Sequence, residues 1–525
     1  MNTGAASSFS SNSNTPPVNN VVIVGGGTSG WMCAAAIARI SPPNTTISLV
    51  ESEDIGVIGV GEATIPTLME FNDFLGINEH DLLRQCQGTY KLGIEFVDWY
   101  RKGQRYFHPF GSYGRDTPEF AFHQLWLRLQ KMVENGTAPA DAASDISDYN
   151  LCTVASRLGR FAPGHGGADS ILATMRYAYH FDSAKYGQML RRYAEQKKVT
   201  RVEGKIVSVN KDPAGQLIQS VTLASGQVLD GELFVDCSGF KSLLIAGAMD
   251  SEFIDWQHYL PCDRAIAVQT SLSGAPSPFT RATADDAGWR WRIPLQTRTG
   301  NGHVYASQFL SQDEALRRLV AGVDGQALNE PLALSFRTGH RKTFWQNNCV
   351  AIGLAGGFIE PLESTSIHLA QMGIQRLINL WPGRGCNQAE ISEYNRLMVA
   401  DYERLRDFIV LHYQATQRED SEFWRYVKNM PIPDTLACKL DIFRGSGRII
   451  ASPEDLFTPH SWLAVMLGQG LRPRDYDALV DRVPQNALIQ NMQMLRKAVG
   501  HTAASLPTHQ EYIHRYCAAT EQDGM

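Results

Sequence analysis

Val21-Val22-Ile23-Val24-Gly25-Gly26-Gly27-Thr28-Ser29-Gly30 is the stretch around which the rest of the chain is organised. Four β-branched apolar residues in a row have the composition of a parallel strand buried on both faces. The glycines follow in the order G-x-G-x-x-G, and residues 31–40 are Ala-rich and apolar, a buried helix closed by Ser41-Pro42-Pro43. A second strand, Thr46-Ile47-Ser48-Leu49-Val50, ends at Glu51. Each part has a task in holding a dinucleotide. Gly25 permits a tight turn, Gly27 lets the backbone approach a pyrophosphate, and Gly30 lets helix and strand pack closely. Thr28 and Ser29 complete the cofactor loop, and Glu51 can accept hydrogen bonds from a ribose diol. A bare glycine motif is weak, but strand, glycines, helix, strand and acid in order are strong.

Two later segments favour FAD over NAD. Gly56-Val57-Ile58-Gly59-Val60-Gly61-Glu62-Ala63-Thr64-Ile65-Pro66 is a second glycine-rich stretch. It reads as a mobile loop whose backbone approaches a flat ring, which makes Gly61, Glu62, Ala63 and Thr64 cofactor candidates. Leu233-Phe234-Val235-Asp236-Cys237-Ser238-Gly239 is another apolar strand, ending in a turn that resembles the D-x-[ST]-G turn of flavoprotein monooxygenases. Asp236 joins the candidates, as does Gly353 in a segment near residues 350–371 that returns to the cofactor. The expected fold class is α/β: an FAD-binding Rossmann-like domain of the flavoprotein monooxygenase type. An antiparallel sheet overlies it (alternating segments at 264–270, 289–294 and 303–309), and the C-terminal region is mostly helical.

Composition narrows the classes. A chain of 525 residues implies two or three domains by size. The division expected is a Ser/Asn/Thr-rich disordered tail at 1–19, an FAD-binding region at 20–390 and a helical region at 391–525. The tail lacks a basic and an apolar stretch, so it does not read as a signal peptide. A net charge of −6 argues against nonspecific nucleic-acid binding. No run approaches the roughly 18 apolar residues of a membrane span. Nine cysteines without a C-x-x-C read as reduced thiols in a cytoplasmic protein. His and Cys never cluster at metal-ligand spacing, so no metal is expected.

Trp289-Arg290-Trp291-Arg292-Ile293-Pro294 is the most unusual local choice. Tryptophans at i and i+2 of an extended segment put both indoles on one face. Core packing is the commoner meaning of such a pair. Taken with Gly25-x-Gly27-x-x-Gly30, however, it closely resembles the motif pair of flavin-dependent tryptophan halogenases. The resemblance extends to Gly59-Val60-Gly61-Glu62-Ala63-Thr64-Ile65-Pro66, to Tyr90-Lys91-Leu92-Gly93-Ile94-Glu95-Phe96 and to Phe358-Ile359-Glu360-Pro361-Leu362-Glu363-Ser364-Thr365.

That family implies FADH2- and O2-dependent oxidation of halide to hypohalous acid, which a lysine guides to an aromatic ring. By the resemblance Lys91 is that lysine. Glu363 is the carboxylate that stabilises the cationic ring and takes its proton, with Glu360 as its local competitor. Backbone N–H groups near Thr365 and Ser366 are the halide ligands, although most members carry glycine where this chain has Ser366. Trp289 and Trp291 wall the flavin off from the substrate, and His108 and Phe110 sandwich an indole. A tyrosine pair that grips free tryptophan becomes Trp462-Leu463 here, and leucine cannot hydrogen-bond a carboxylate or amine. An indole, alone or within a larger molecule, fits better than free tryptophan. No second dinucleotide site is evident, so reduced flavin comes from a separate flavin reductase. Homodimer formation stays open. The competing readings are a flavin monooxygenase that hydroxylates an aromatic ring, and a non-catalytic FAD-binding protein.

Overall fold

The computed structural model describes residues 16–53, 61–167 and 170–519. At its centre is a six-stranded sheet in the order Trp345–Gln346, Cys349–Ala351, Leu233–Asp236, Asn20–Val24, Thr46–Glu51 and Thr200–Glu203. All neighbours run parallel except the edge strand Trp345–Gln346. Val21 to Val24 are buried on both faces, as a continuous β-branched run requires. The helix Thr28–Ile40 packs against helices Ser183–Gln196 and Ser366–Asn379, so the glycine loop and residue 366 lie under one helical layer.

A second, seven-stranded sheet lies beside it, in the order Leu332–Ser335, Arg264–Thr270, Thr299–Tyr305, Gly288–Pro294, Thr280–Asp285, Gly93–Val97 and Arg105–Pro109. It differs from the expected antiparallel sheet in one pair: Thr280–Asp285 runs parallel to Gly93–Val97. This pair joins two distant parts of the chain. The strand expected at 303–309 instead covers Thr299–Tyr305, where Gly300 and Gly302 mask the pattern. Those glycines are needed: a Cβ on Gly302 would lie 2.0 Å from the Trp291 ring. The sheet therefore makes room for a tryptophan by removing the side chain opposite it.

A three-stranded sheet links these bodies, with Ala178–Asp182 between Gly61–Ala63 and Thr89–Lys91. Helices Gln388–Gln414, Glu422–Asn429, Asp434–Ser446, Pro459–Gly468, Gln485–Ser505 and His509–Tyr516 complete the C-terminal side. Among the described residues no helix is long and apolar enough to cross a membrane. Residues 16–19 of the tail expected at 1–19 pack on the fold: Val18 is buried, and Pro16 and Val18 bond the backbone of Arg384 and Pro382. Asn19 adds a bond from its N–H to Glu232 and one from Thr46 N to its carbonyl. Residues 1–15 and 54–60, the latter holding the first part of the glycine-rich stretch 56–66, lie outside the described residues.

Candidate active site

The glycine loop has the shape a dinucleotide needs. Gly25 sits at φ 110°, and a Cβ there would come within 2.2 Å of the Cys237 carbonyl oxygen. A Cβ on Gly30 would meet the Gly25 oxygen at 1.9 Å, whereas space above Gly27 is open. Helix Thr28–Ile40 starts at that opening without a side-chain cap, so its first N–H groups are free for a pyrophosphate. Gly353, at φ 67°, closes on Ser29, whose Oγ a Cβ would approach to 2.4 Å. The Thr28 hydroxyl is turned away and donates to Ser183 O at 3.3 Å. Glu51 lies beside Gly26, with Arg201 Nε 2.5 Å from its Oε1 and Trp31 Nε1 donating to its Oε2 at 3.4 Å. FAD fits this cradle.

Asp236 needs correction as a cofactor ligand. Its carboxylate accepts from Ser238 N (3.0 Å), Ser238 Oγ (2.5 Å), Leu244 N (2.7 Å) and Ile245 N (2.8 Å). Four donors saturate a carboxylate. Asp236 shapes the turn after its strand and has no acceptor left for a ligand. Because the Cys237 carbonyl in that turn touches Gly25, Gly25→Ala is expected to cost at least about 2 kcal/mol of stability and to lose bound FAD. Thermal unfolding and flavin retained on dialysis check this.

Lys91 ends the strand Thr89–Lys91, and the three-stranded sheet turns it inward, where it is fully buried. Its Nζ donates to Thr64 O at 2.9 Å and to Ser364 Oγ at 2.8 Å, and lies 5.2 Å from the Phe110 ring centre. Burial pushes the amine down to about 7, against the pull of Glu363 and Glu62. Glu62, on the adjoining strand, is pushed up to about 7 by burial while Lys91 pulls it down. Behind Lys91 the backbone of Tyr90 donates to His509 Nε2 at 3.1 Å, so the C-terminal helix braces this strand.

Glu363 closes the short turn Pro361–Glu363, and Ser364 follows in a left-handed conformation at φ 61°. The lysine is thus bonded to the residue next to the acid. His108 Nδ1 lies 2.9 and 3.0 Å from the two Glu363 oxygens, and His412 Nε2 lies 2.8 Å from Oε1. All three side chains are buried. His412 Nδ1 also faces the Phe408 carbonyl at 2.8 Å. A carbonyl only accepts, so Nδ1 is the donor there, and that bond holds the ring with Nε2 toward Glu363. Burial alone would raise the Glu363 carboxyl, but His108 and His412 outweigh it and bring it down to about 2. His412 went unnoticed in the sequence because it lies in an apolar helical run, where a lone histidine reads as core.

Thr365 and Ser366 begin helix Ser366–Asn379, where N–H groups without intrahelical partners gather; the buried Thr365 Oγ1 also has no partner among the described residues. His108 lies against Glu363 and Phe110 against Lys91, so the ring expected to stack an indole also grips the acid. Trp462 lies apart from Phe110. It lines a cavity of about 870 Å³ with Phe457 and His368, whereas Phe110 lines one of about 710 Å³ with Arg115 and Arg176. Phe408 stands between, 5.0 Å from Trp462 and 5.7 Å from His108. Trp289 and Trp291 are 6.1 Å apart, and Trp289 is fully buried.

The tryptophan halogenase family profile matches residues 20–485. The chain belongs to that family. Among curated relatives of this halogenase, the 7-chloro-L-tryptophan 6-halogenase KtzR of Kutzneria sp. (strain 744) is 34% identical over 93% of this chain and 98% of its own. The tryptophan 7-halogenase RebH of Lentzea aerocolonigenes is 35% identical over 82% of each. A solved flavin-dependent halogenase from Xanthomonas campestris superposes with a TM-score of 0.91 at 43% identity, covering 96% of this chain and 99% of its own. BrvH, a flavin-dependent halogenase from Brevundimonas sp. BAL3, gives 0.90 at 40% identity, with 95% and 99% covered. This halogenase is a two-component flavoenzyme: FAD reduced by a partner reductase serves, with O2 and halide, to halogenate an aromatic substrate.

Proposed function

We propose that this halogenase delivers an electrophilic halogen from Lys91 to an electron-rich, indole-type ring, with Glu363 accepting the ring proton. One observation carries the reading: Lys91 Nζ is bonded to Ser364, the neighbour of Glu363, and both ionisable groups are buried. A lysine and an acid so close and so dry serve one small reacting group better than they serve stability. When bound, reduced FAD with O2 supplies the oxidising power that turns halide into hypohalous acid. Free hypohalous acid is unselective and must be caught. Thr64 O and Ser364 Oγ occupy two Nζ hydrogens, which leaves the third of an ammonium to hold the oxidant. The N–H groups beginning helix Ser366–Asn379, at Thr365 and Ser366, suit a halide. Trp289 and Trp291 keep the flavin side apart from the ring to be halogenated, and His108 and Phe110 flank that ring.

Because burial brings Lys91 to about 7, its charge changes within the working range. Guidance by the ammonium predicts that kcat for halogenation falls as pH rises through about 7. A rate that rises there instead assigns the transfer to a halogenated neutral amine. The pH profile with FADH2 supplied chemically decides between them, because a reductase adds its own titration.

The substrate reading is an indole carried on a molecule larger than tryptophan. Cavities of about 710 and 870 Å³ are the size that takes drug-sized ligands. Trp462-Leu463 offers no pair of hydroxyls to an amino acid. The test is reduced FAD, protein, bromide, air and indole, read by mass spectrometry. Bromoindole supports the proposal, hydroxyindole would make the protein a monooxygenase, and neither product would reject the indole reading.

A further inference from the structure

Glu360 is a completely buried carboxyl that the chemistry above leaves unused. Trp289 Nε1 donates to its Oε2 at 3.2 Å and the Tyr413 hydroxyl donates to the same oxygen at 3.0 Å. The Cys262 thiol lies 3.6 Å from that hydroxyl. Both main donors converge on Oε2, and Oε1 accepts none from the described residues. Burial pushes this carboxyl up to about 7, with the Trp289 and Tyr413 bonds pulling it down. Such a group is costly to keep, and a leucine of similar size would stabilise the core better. Its retention asks for a reason beyond stability.

The three parts it joins supply one. Trp289 comes from strand Gly288–Pro294 and Tyr413 from helix Gln388–Gln414, while Glu360 immediately precedes the turn Pro361–Glu363. Tyr413 follows His412, which contacts Glu363, so two successive helix residues grip two acids of one turn. Pro361 and the left-handed Ser364 make that turn stiff, so a shift at Glu360 passes to Glu363 and to the Ser364 hydroxyl on Lys91. The two tryptophans are held by different devices. Trp291 lies over the glycine at 302 with its own Nε1 unpartnered among the described residues, whereas Trp289 has its ring orientation chosen by the Glu360 bond.

We propose that Glu360 is a positioning residue that ties the Trp289 ring, the His412–Tyr413 turn of the helix and the Glu363 turn into one unit, holding the dividing wall at a set distance from Lys91 and Glu363. It touches neither substrate nor cofactor. The proposal rests on the reading of Lys91 and Glu363 given above. Its effect is on alignment: near-attack geometry is lost by movements of about 1 Å, which cost on the order of a hundredfold in rate.

The experiment compares Glu360→Leu, Glu360→Gln and Tyr413→Phe with unaltered protein, all loaded with FADH2, bromide and indole. Glu360→Leu is expected to lower kcat for bromination by at least about tenfold with KM for indole within about twofold, while FADH2 oxidation continues and the tryptophan near-UV circular dichroism changes. Glu360→Gln, which still accepts from both donors, restores most of the rate and the spectrum. Tyr413→Phe, which removes one bond without opening a cavity, gives an intermediate loss and covers the case that Glu360→Leu fails to fold. Wild-type bromination by Glu360→Leu or by Tyr413→Phe overturns the proposal. So does a loss confined to melting temperature or flavin retention, and so does failure of Glu360→Gln to restore activity. Absence of bromination by the unaltered protein would instead speak against the indole reading, which separates the two failures.

Discussion

Lys91→Ala is expected to abolish detectable halogenation, a loss of at least about a hundredfold, while FAD stays bound and FADH2 is still oxidised by O2. The reasoning starts from what the ammonium touches. It has two fixed acceptors, Thr64 O and Ser364 Oγ, one from the segment after the strand Gly61–Ala63 and one from the turn that carries Glu363. Alanine removes the amine proposed to hold the electrophilic halogen, and the oxidant then escapes or decays. The halide is still oxidised, so a scavenger such as a free thiol would record the lost oxidant. The variant also leaves those two acceptors without their donor, which threatens the segment beside the flavin. Lys91→Met keeps the volume and separates the two effects. If either variant loses its flavin while residual halogenation per bound FAD is unchanged, the lysine is a structural tie, and its catalytic assignment fails.

Glu363→Gln is expected to slow halogenation by about a hundredfold with little change in FAD affinity, because it removes a charge and leaves the shape. The amide oxygen can still accept from His108 Nδ1, and the amide nitrogen can face His412 Nε2 from the place one carboxylate oxygen now occupies. What disappears is the negative charge that the two histidines maintain by bringing the carboxyl down to about 2. Without it the cationic ring is less stable, and its proton has no nearby base. Single-turnover rates with preformed FADH2 test the chemical step directly. A rate equal to that of the unaltered protein removes Glu363 from the reaction and leaves the histidine pair without a function.

Much of this was legible in one dimension. The order of strand, glycines, helix, strand and acid at residues 21–51 announces the nucleotide fold because each glycine answers a short-range demand, a turn or a close approach, that neighbours in sequence create. The positive φ and the 2.2 Å approach at Gly25 are that demand made visible. The residue types at Lys91, Glu363, His108 and Phe110 are legible through family resemblance, and packing sets His108 on Glu363 and Phe110 beside Lys91. Asp236 was misjudged because its motif records a turn, and a turn-building carboxylate looks the same in sequence as a ligand. Residues 16–19 read as tail because most of their partners, Glu232 and residues 382–384, are far away in sequence.

His412 and the second role of His108 could not be read at all. They meet Glu363 only because helix Gln388–Gln414 and strand Arg105–Pro109 are both packed against one turn. The same holds for the bolt formed by Glu360, Trp289 and Tyr413, whose members lie 53 and 71 residues apart. Local conformational preference is written in neighbouring residues, so strands, turns and the cofactor loop follow from them. The charge on a buried acid follows from whatever packing brings beside it in a medium that screens little, and that is set by the meeting of distant segments.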